Sequence, residues 1–590
     1  MLITNYYKLS KNIVDIRQLV YKSLRTKALG RALAQLLVIG NKHTDKIQNL
    51  QNTYRTLLGY YIDGTEDPER TEVINYLIRE TYELTDTICS DYIPVSYCED
   101  DIYKKLFTPL LYDTEHISYA SALASGTNDI EGAVAASAVT LSCINVFQEE
   151  KLTALIEFCK SPSRITKLRG ITGVILTLIY HDERLSYYPA INNSLNLLFD
   201  EEENVRLAQA VVLSLLRCTE TKRITDDIKE SILPNISKIA PDVEKSSDET
   251  GENKAPEDKI YEIQDKLEDS GLADKMRSIA QLQQEGADIN YSSFSQLKGF
   301  SFFSCIENWL MPFFKDNKNI ADLFNDSADG ISIVSTLLSS STMCDSDKYS
   351  LCLNIKAVSD SLRTTLLSNL NAENEALSGI GEENESDEKA INHYIQDLYR
   401  LFKLHRDHRY YKDIFEGDMA LHNLRFFRFI NPNNTFLPEI ASLYYSKQLN
   451  NEALDAYQKL LSSDSANLAF IKAIGNCLIR IQNYDAAIEY WTKADIIESG
   501  EENTLKRLAL CYKKSGNYSE AEKLYSALME SDSENLNYLY STAICKYMRS
   551  DFKGALNILY KMAFLQSDVK NSPEFCFYIG VCLWSEGNKK

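Results

Sequence analysis

The chain has 590 residues, enough for several domains, and its formal net charge is −21. Nucleic-acid binding needs a basic surface, so this charge argues against that function for the chain as a whole. No stretch approaches the ~20 consecutive apolar residues that span a membrane, and residues 1–40 resemble an amphipathic helix more than a secretion signal. We therefore expect a soluble, cytoplasmic protein.

Residues 1–240 predict a helical array. Three apolar segments recur in it at spacings of 35 and 37 residues, namely Ala138–Ser142, Gly173–Thr177 and Ala210–Ser214. Each is followed by a polar turn and a second amphipathic helix. This pattern resembles the HEAT type of helical repeat over residues 128–240, and an irregular helical domain is the alternative.

Two acidic stretches with few apolar residues, 241–258 and 371–388, predict linkers or solvated loops. Between them, residues 259–370 predict a small helical domain, whose helix runs to Met311 and stops near Pro312. This domain carries an aromatic cluster: Tyr291, Phe294, Phe300, Phe302, Phe303, Trp309, Phe313 and Phe314. The cluster is the core of the domain or an exposed binding patch. Residues 389–436 predict helices that lead into the C-terminal repeats, the first of them with an apolar stripe at helical spacing: Tyr394, Leu398, Leu401 and Phe402.

Residues 437–590 repeat with a period of 34. A small residue recurs at that spacing at Ala441, Gly475, Ala509 and Ala543. A second small residue follows at Ala453, Ala487, Ala521 and Ala555, and a bulky one at Tyr457, Trp491, Tyr525 and Leu559. The pattern resembles the tetratricopeptide repeat, a pair of antiparallel helices. The resemblance implies an all-α helical-repeat fold, a superhelix whose concave groove binds a protein or peptide.

Four cysteines occupy one position of successive units: Cys477, Cys511, Cys545 and Cys582. Neighbouring helix axes are ~8–10 Å apart, so these sulfurs are not expected to share one metal ion. No CxxC pair occurs in the sequence. We predict reduced cysteines that pack in the core, with no metal and no other cofactor.

In the family that the repeats resemble, fixed positions of each unit's first helix meet the ligand. On those positions we predict ten residues that bind a protein or peptide: Lys472, Asn476, Arg480, Lys506, Arg507, Leu510, Lys513, Lys514, Tyr540 and Tyr547. A cationic stretch followed by an aromatic one favours an acidic peptide. Solvated lysines are the alternative. Phe577 and Trp584 occupy similar positions, but we expect them to pack against the remainder of the last unit.

The segment Lys472–Asn476 resembles the KxxGN start of the carboxylate clamp, which holds the acidic tails of heat-shock chaperones. The later clamp positions are Arg507, Asn537 and Ser541, which differ from the family pattern. Two matches in five argue against clamp binding, although a related grip on another acidic peptide stays open.

The sequence carries no recognisable catalytic signature. His405-Arg406-Asp407 copies the start of a protein-kinase catalytic loop, but the asparagine that should follow is Lys412. We therefore expect a non-catalytic scaffold or adaptor. The alternatives are a peptide-responsive regulatory protein and an enzyme with an unrecognised active site in residues 1–370.

The last helix, roughly Pro573–Ser585, carries apolar residues on more than one face. Repeat arrays end in a capping element with a polar outer face. We therefore expect that the chain continues beyond Lys590, or that another subunit covers this end.

Overall fold

The computed structural model describes residues 15–90, 102–112, 128–227, 229–230, 286–325, 343–357, 385–408, 411, 413–417, 419–566 and 572–587. These residues form helices and turns, with no strand among them, which confirms the predicted all-α fold. The chain divides into two compact units, Met1–Ile430 and Asn431–Lys590. The first predicted linker and most of the second lie outside the described residues. None of the helices in the described ranges is long and apolar enough to span a membrane.

The described part of the N-terminal unit consists of α-helices and short 3₁₀ turns. Its longer helices are α1 (including residues 15–25), α2 (Leu29–Leu36), α3 (Thr44–Ile62), α4 (Arg70–Ser90), α5 (Ile102–Tyr112), α6 (Asp129–Asn145), α7 (Glu149–Phe158), α8 (Arg164–His181), α9 (Pro189–Phe199), α10 (Glu202–Cys218), α11 (Thr221–Asp227), α12 (Asp345–Ala357) and α13 (Asp387–Leu404).

The three recurring apolar segments lie in α6, α8 and α10, which form the centre of this unit. Small residues let α6 and α8 approach closely. A Cβ atom on Gly173 would lie 2.2 Å from Oγ1 of Thr140, so only glycine fits this crossing. Asn128 begins α6 and Ser163 begins α8, because each side chain accepts backbone N–H groups of the first turn. The finer resemblance to HEAT repeats stays a prediction.

The aromatic segment does not contain the helix that we predicted to run up to Met311. It forms short 3₁₀ turns instead, the last two at Ser301–Ser304 and Ile306–Trp309. The Asn308 amide and the Trp309 indole donate hydrogen bonds to the carbonyls of Phe302 and Phe303. These side chains occupy acceptors that a continuous helix would use. Phe302, Phe303 and Trp309 are buried, as the core interpretation expects.

Helix α13 belongs to the N-terminal unit, whereas its sequence suggested a lead-in to the repeats. It packs on α8 and α10, and its polar side is buried as well as its apolar stripe. The buried guanidinium of Arg400 pairs with Asp288 and Asp347, each at 2.6 Å. Lys298 adds a second cation 2.9 Å from Asp347. Although burial alone would raise it, the pKa of Asp347 is lowered by these two cations. The other predicted boundaries stay predictions.

The C-terminal unit consists of helix pairs with the predicted period. The first helices of the pairs are α14 (Leu437–Ser446), α16 (Leu468–Arg480), α18 (Glu502–Lys514), α20 (Leu536–Met548) and α22 (Pro573–Ser585). The second helices are α15 (Asn450–Ser463), α17 (Tyr484–Ile497), α19 (Tyr518–Ser531) and α21 (Phe552–Leu565). The second helices begin exactly one period of 34 residues apart. Each packs on the first helix of its own unit and on that of the next.

The repeated small residues lie where helices cross. A Cβ atom on Gly475 would lie 2.5 Å from Nε1 of Trp491, and the Trp491 side chain is fully buried. The alanines at the equivalent positions are buried too: Ala441, Ala509, Ala543, Ala453, Ala487, Ala521 and Ala555. The four cysteines in register are also buried, and each is a free thiol: Cys477, Cys511, Cys545 and Cys582. The sequence pattern is therefore a packing pattern.

Candidate peptide-binding surface

The first helices of successive units touch one another through side chains at the predicted binding positions. From α16 to α14, Arg480 donates to the carbonyl of Tyr445 at 2.7 Å. From α18 to α20, Lys513 donates to the hydroxyl of Ser541 at 3.0 Å. These contacts join the helices into one continuous surface. We call it the first-helix face, formed by α14, α16, α18, α20 and α22.

Lys472 lies on this face, but its charge is already neutralised. Its ammonium lies 3.0 Å from Glu498 and 3.3 Å from Glu501. Glu501 also caps α18 by accepting the backbone N–H groups of Asn503 and Thr504. Hydrogen bonds from Thr504, and then the one from Lys472, lower the pKa of Glu501 to about 2. Lys472 therefore serves the junction between two units, and it is a poor candidate for gripping an outside carboxylate.

Arg480 is also partly engaged by the protein. Its guanidinium lies 3.6 Å from the centre of the Tyr445 ring, in a cation–π contact. No carboxylate of the described residues pairs with it, so its charge remains available. Asn476, one turn earlier on α16, is half-buried, and its side chain forms no hydrogen bond with described residues.

Helix α18 carries the cations that have no counter-ion. Lys506 and Lys514 are exposed, and Arg507 is half-buried beside the half-buried Leu510. None of these three cations forms an ion pair with any residue that the structure describes. The ring of Tyr538 lies 6.0 Å from the Lys506 ammonium, and its hydroxyl donates to Glu502. The nearest acid on α18 is thus engaged by a tyrosine.

Lys513 is the fourth cation of α18 and is half-buried. Its ammonium lies 5.4 Å from the centre of the Tyr525 ring and donates to Ser541. Burial lowers the pKa of Lys513, because desolvation disfavours the charged ammonium. Its role is partly to join α18 to α20.

The aromatic part of the face lies on α20 and α22. Tyr547 and Tyr578 meet edge to face, with ring centres 5.0 Å apart, and Phe577 adjoins Tyr578 at 5.5 Å. The Tyr540 hydroxyl donates to Glu574 at 3.4 Å, and burial raises the pKa of Tyr540 to about 12. Phe577 is 60% exposed, and Trp584 further along α22 is 65% exposed.

The structure thus places all ten predicted residues on the first helices α16, α18 and α20. The sequence did not predict the acids that contact residues of this face. Glu498 and Glu501 pair with Lys472, and Glu574 accepts from Tyr540. A usable signal was the turn Glu498–Glu501 directly before α18, which has an acid at each end. The clamp resemblance weakens further, because Lys472 is neutralised and the Ser541 hydroxyl is buried and accepts from Lys513.

Comparison with known proteins adds little. No protein-family model matches the chain, and no curated protein matches it. A solved structure, the crystal structure of the P58(IPK) TPR domain, is 12% identical to the chain, and the alignment covers 75% of this chain and 94% of that one. The TM-score is 0.19, too low to support an argument about this chain. The helices described above define the class by themselves: an all-α helical-repeat protein.

Proposed function

We propose that this protein is a non-catalytic scaffold that binds a protein partner through a peptide segment on the first-helix face. Stacked helical repeats present an extended surface, and such surfaces serve binding. The observation that carries the proposal is the set of uncompensated cations on α18, which are Lys506, Arg507 and Lys514. The chain has 84 acidic residues against 63 basic ones, yet none of these three cations forms an ion pair with a residue that the structure describes.

Electrostatics supports a specific ligand charge. Arginine and lysine bind carboxylates strongly when the cations are fixed and partly desolvated. Arg507 meets this condition, since it is half-buried on a regular helix. We propose that the partner segment is an acidic peptide. The proposal includes neither a nucleic acid nor a membrane as a partner.

The compartment is part of the same proposal. The cysteines of the described residues are free thiols, and most of them are buried. Persistent free thiols are typical of reducing compartments. We propose the cytoplasm.

The test uses affinity purification from native cells with quantitative mass spectrometry. The bait is the wild-type chain or the double variant Lys506→Glu/Arg507→Glu. A matched control is Lys493→Glu/Lys553→Glu, which makes the same charge change at exposed positions of the second helices α17 and α21. We expect a stoichiometric partner with wild type and control that is lost with the α18 variant. A partner retained equally by all three would contradict binding at this face.

A further inference from the structure

We infer that the ligand of the first-helix face combines two adjoining parts, a short acidic run and an aromatic or large aliphatic anchor. This inference rests on the proposed function and specifies its ligand. It follows from two neighbouring surfaces. The cationic subsite is formed by Lys506, Arg507 and Lys514, and the aromatic subsite by Tyr540, Tyr547 and Phe577.

The two subsites adjoin without a gap. Helix α18 carries the cationic subsite and touches α20 through the hydrogen bond from Lys513 to Ser541. Helix α20 touches α22 through the edge-to-face contact between Tyr547 and Tyr578. Neighbouring packed helices are ~8–10 Å apart. Since an extended peptide advances ~3.3 Å per residue, about three residues separate one subsite from the next.

Carboxylates of the protein flank the pair of subsites on its two outer sides. Glu498 and Glu501 lie on the α16 side, where they hold Lys472. Glu574 lies on the α22 side, where it accepts from Tyr540. A long polyanion crossing several units would meet these carboxylates and be repelled. The flanking acids therefore disfavour a ligand whose anionic part extends beyond α18 and α20.

The aromatic subsite is rigid and partly open. Tyr578 is surrounded by Tyr540, Tyr547 and Phe577, with ring centres 6.3, 5.0 and 5.5 Å from its own. Such contacts fix the rings before a ligand arrives, which lowers the entropy cost of binding. Phe577 remains 60% exposed. An apolar side chain of a ligand can cover Phe577 without displacing any of the described residues.

The experiment selects binders from a phage-displayed library of random 12-residue peptides, using the 590-residue chain. Peptides that also bind the Lys506→Glu/Arg507→Glu variant are discarded. We expect the remaining sequences to share two to four acidic residues within about three positions of Phe, Trp, Tyr or Leu. The Phe577→Ala variant should bind synthetic versions of the selected peptides several-fold more weakly than the wild-type chain does. The Lys493→Glu/Lys553→Glu control should bind them with wild-type affinity.

The outcomes separate the inference from the proposed function. Binders that need the α18 cations but carry no apolar anchor, and that ignore Phe577→Ala, would overturn the inference and leave the proposed function standing. A library without any peptide that depends on the α18 cations would contradict both.

Discussion

The Nζ atom of Lys472 lies 3.3 Å from Oε2 of Glu501, an oxygen that also accepts the backbone N–H of Thr504 at the start of α18. One carboxylate thus caps a helix and neutralises a cation of the preceding unit. No such partner among the described residues meets Arg507, one turn into α18. The first-helix face therefore contains cations of two kinds, and they should respond differently to mutation.

We predict that Lys472→Ala changes the affinity for an acidic peptide less than twofold, because its charge is already compensated. Arg507→Ala should weaken the same peptide about tenfold, since a hydrogen bond to a charged group contributes ~1.5–3 kcal/mol. Fluorescence anisotropy with a labelled peptide from the library selection measures both. Equal losses for the two variants would show that the pairing with Glu498 and Glu501 does not persist in solution.

Gly475→Ala should destabilise the C-terminal unit. The new Cβ atom would lie 2.5 Å from the buried Trp491 indole, and overpacking costs ~1–3 kcal/mol. The control is Gly580→Ala on α22, where nothing lies within 4 Å of the added atom. Gly580→Ala should leave the stability of the C-terminal unit unchanged or raise it by up to ~1 kcal/mol, because alanine has a higher helix propensity than glycine. Thermal unfolding, monitored by Trp fluorescence and circular dichroism, measures the stability of both variants. If Gly475→Ala were as stable as Gly580→Ala, the close contact between Gly475 and Trp491 would be contradicted.

The buried ion cluster of the N-terminal unit predicts a large effect of Arg400→Met. The change leaves Asp288 and Asp347 without their main counter-ion, and breaking a buried pair in this way costs ~3–5 kcal/mol. Arg206→Met is the matched control. Arg206 pairs with Asp387 and Glu388 while about half exposed, and exposed pairs contribute ~0–1 kcal/mol. Urea unfolding measures both variants. A small loss for Arg400→Met would show that the cluster is not formed.

Asp397 predicts a pH effect on stability. Burial, and then the nearby Asp345, raise the pKa of Asp397 from 3.8 to about 6. Between these two values the folded chain binds more protons than the unfolded chain, so this carboxyl makes stability fall as pH rises through the window. Asp397→Asn keeps an oxygen that can accept from the backbone N–H of Ser346. The substitution should therefore stabilise the protein by ~1–3 kcal/mol at pH 7.5.

The advantage of Asp397→Asn should shrink toward pH 4, where the carboxyl is protonated in the folded chain and increasingly protonated in the unfolded chain as well. Urea unfolding at pH 4.5, 6 and 7.5 follows the trend. A destabilising effect of equal size at all three pH values would contradict the raised pKa.

The sequence predicted the repeat unit well because close packing dictates it. Gly475 must be small where Trp491 crosses it, and such requirements recur in register every 34 residues. The sequence could not predict the ion pairs of Lys472, because Glu498 and Glu501 lie in a turn whose path depends on how α18 is capped. It also failed for residues 301–309, where side chains of Asn308 and Trp309 take the carbonyls of a would-be helix.

Helix α13 illustrates a second limit. Its apolar stripe predicted one buried side, but the buried polar side is explained only by partners far along the chain. Arg400 is charged and is still fully buried, because Asp288 and Asp347 satisfy it from 112 and 53 residues away. Helical periodicity carries no information about such partners.

Site-specific photocrosslinking tests the central claim most directly, namely that a partner peptide lies across α18. A photoreactive amino acid replaces Leu510 on the first-helix face or Ile496 on α17, which is 76% exposed. We predict crosslinks to the co-purified partner from position 510 and none from position 496, and loss of the former in the Lys506→Glu/Arg507→Glu background. Crosslinks from position 496 alone, with a partner that still co-purifies, would contradict the account.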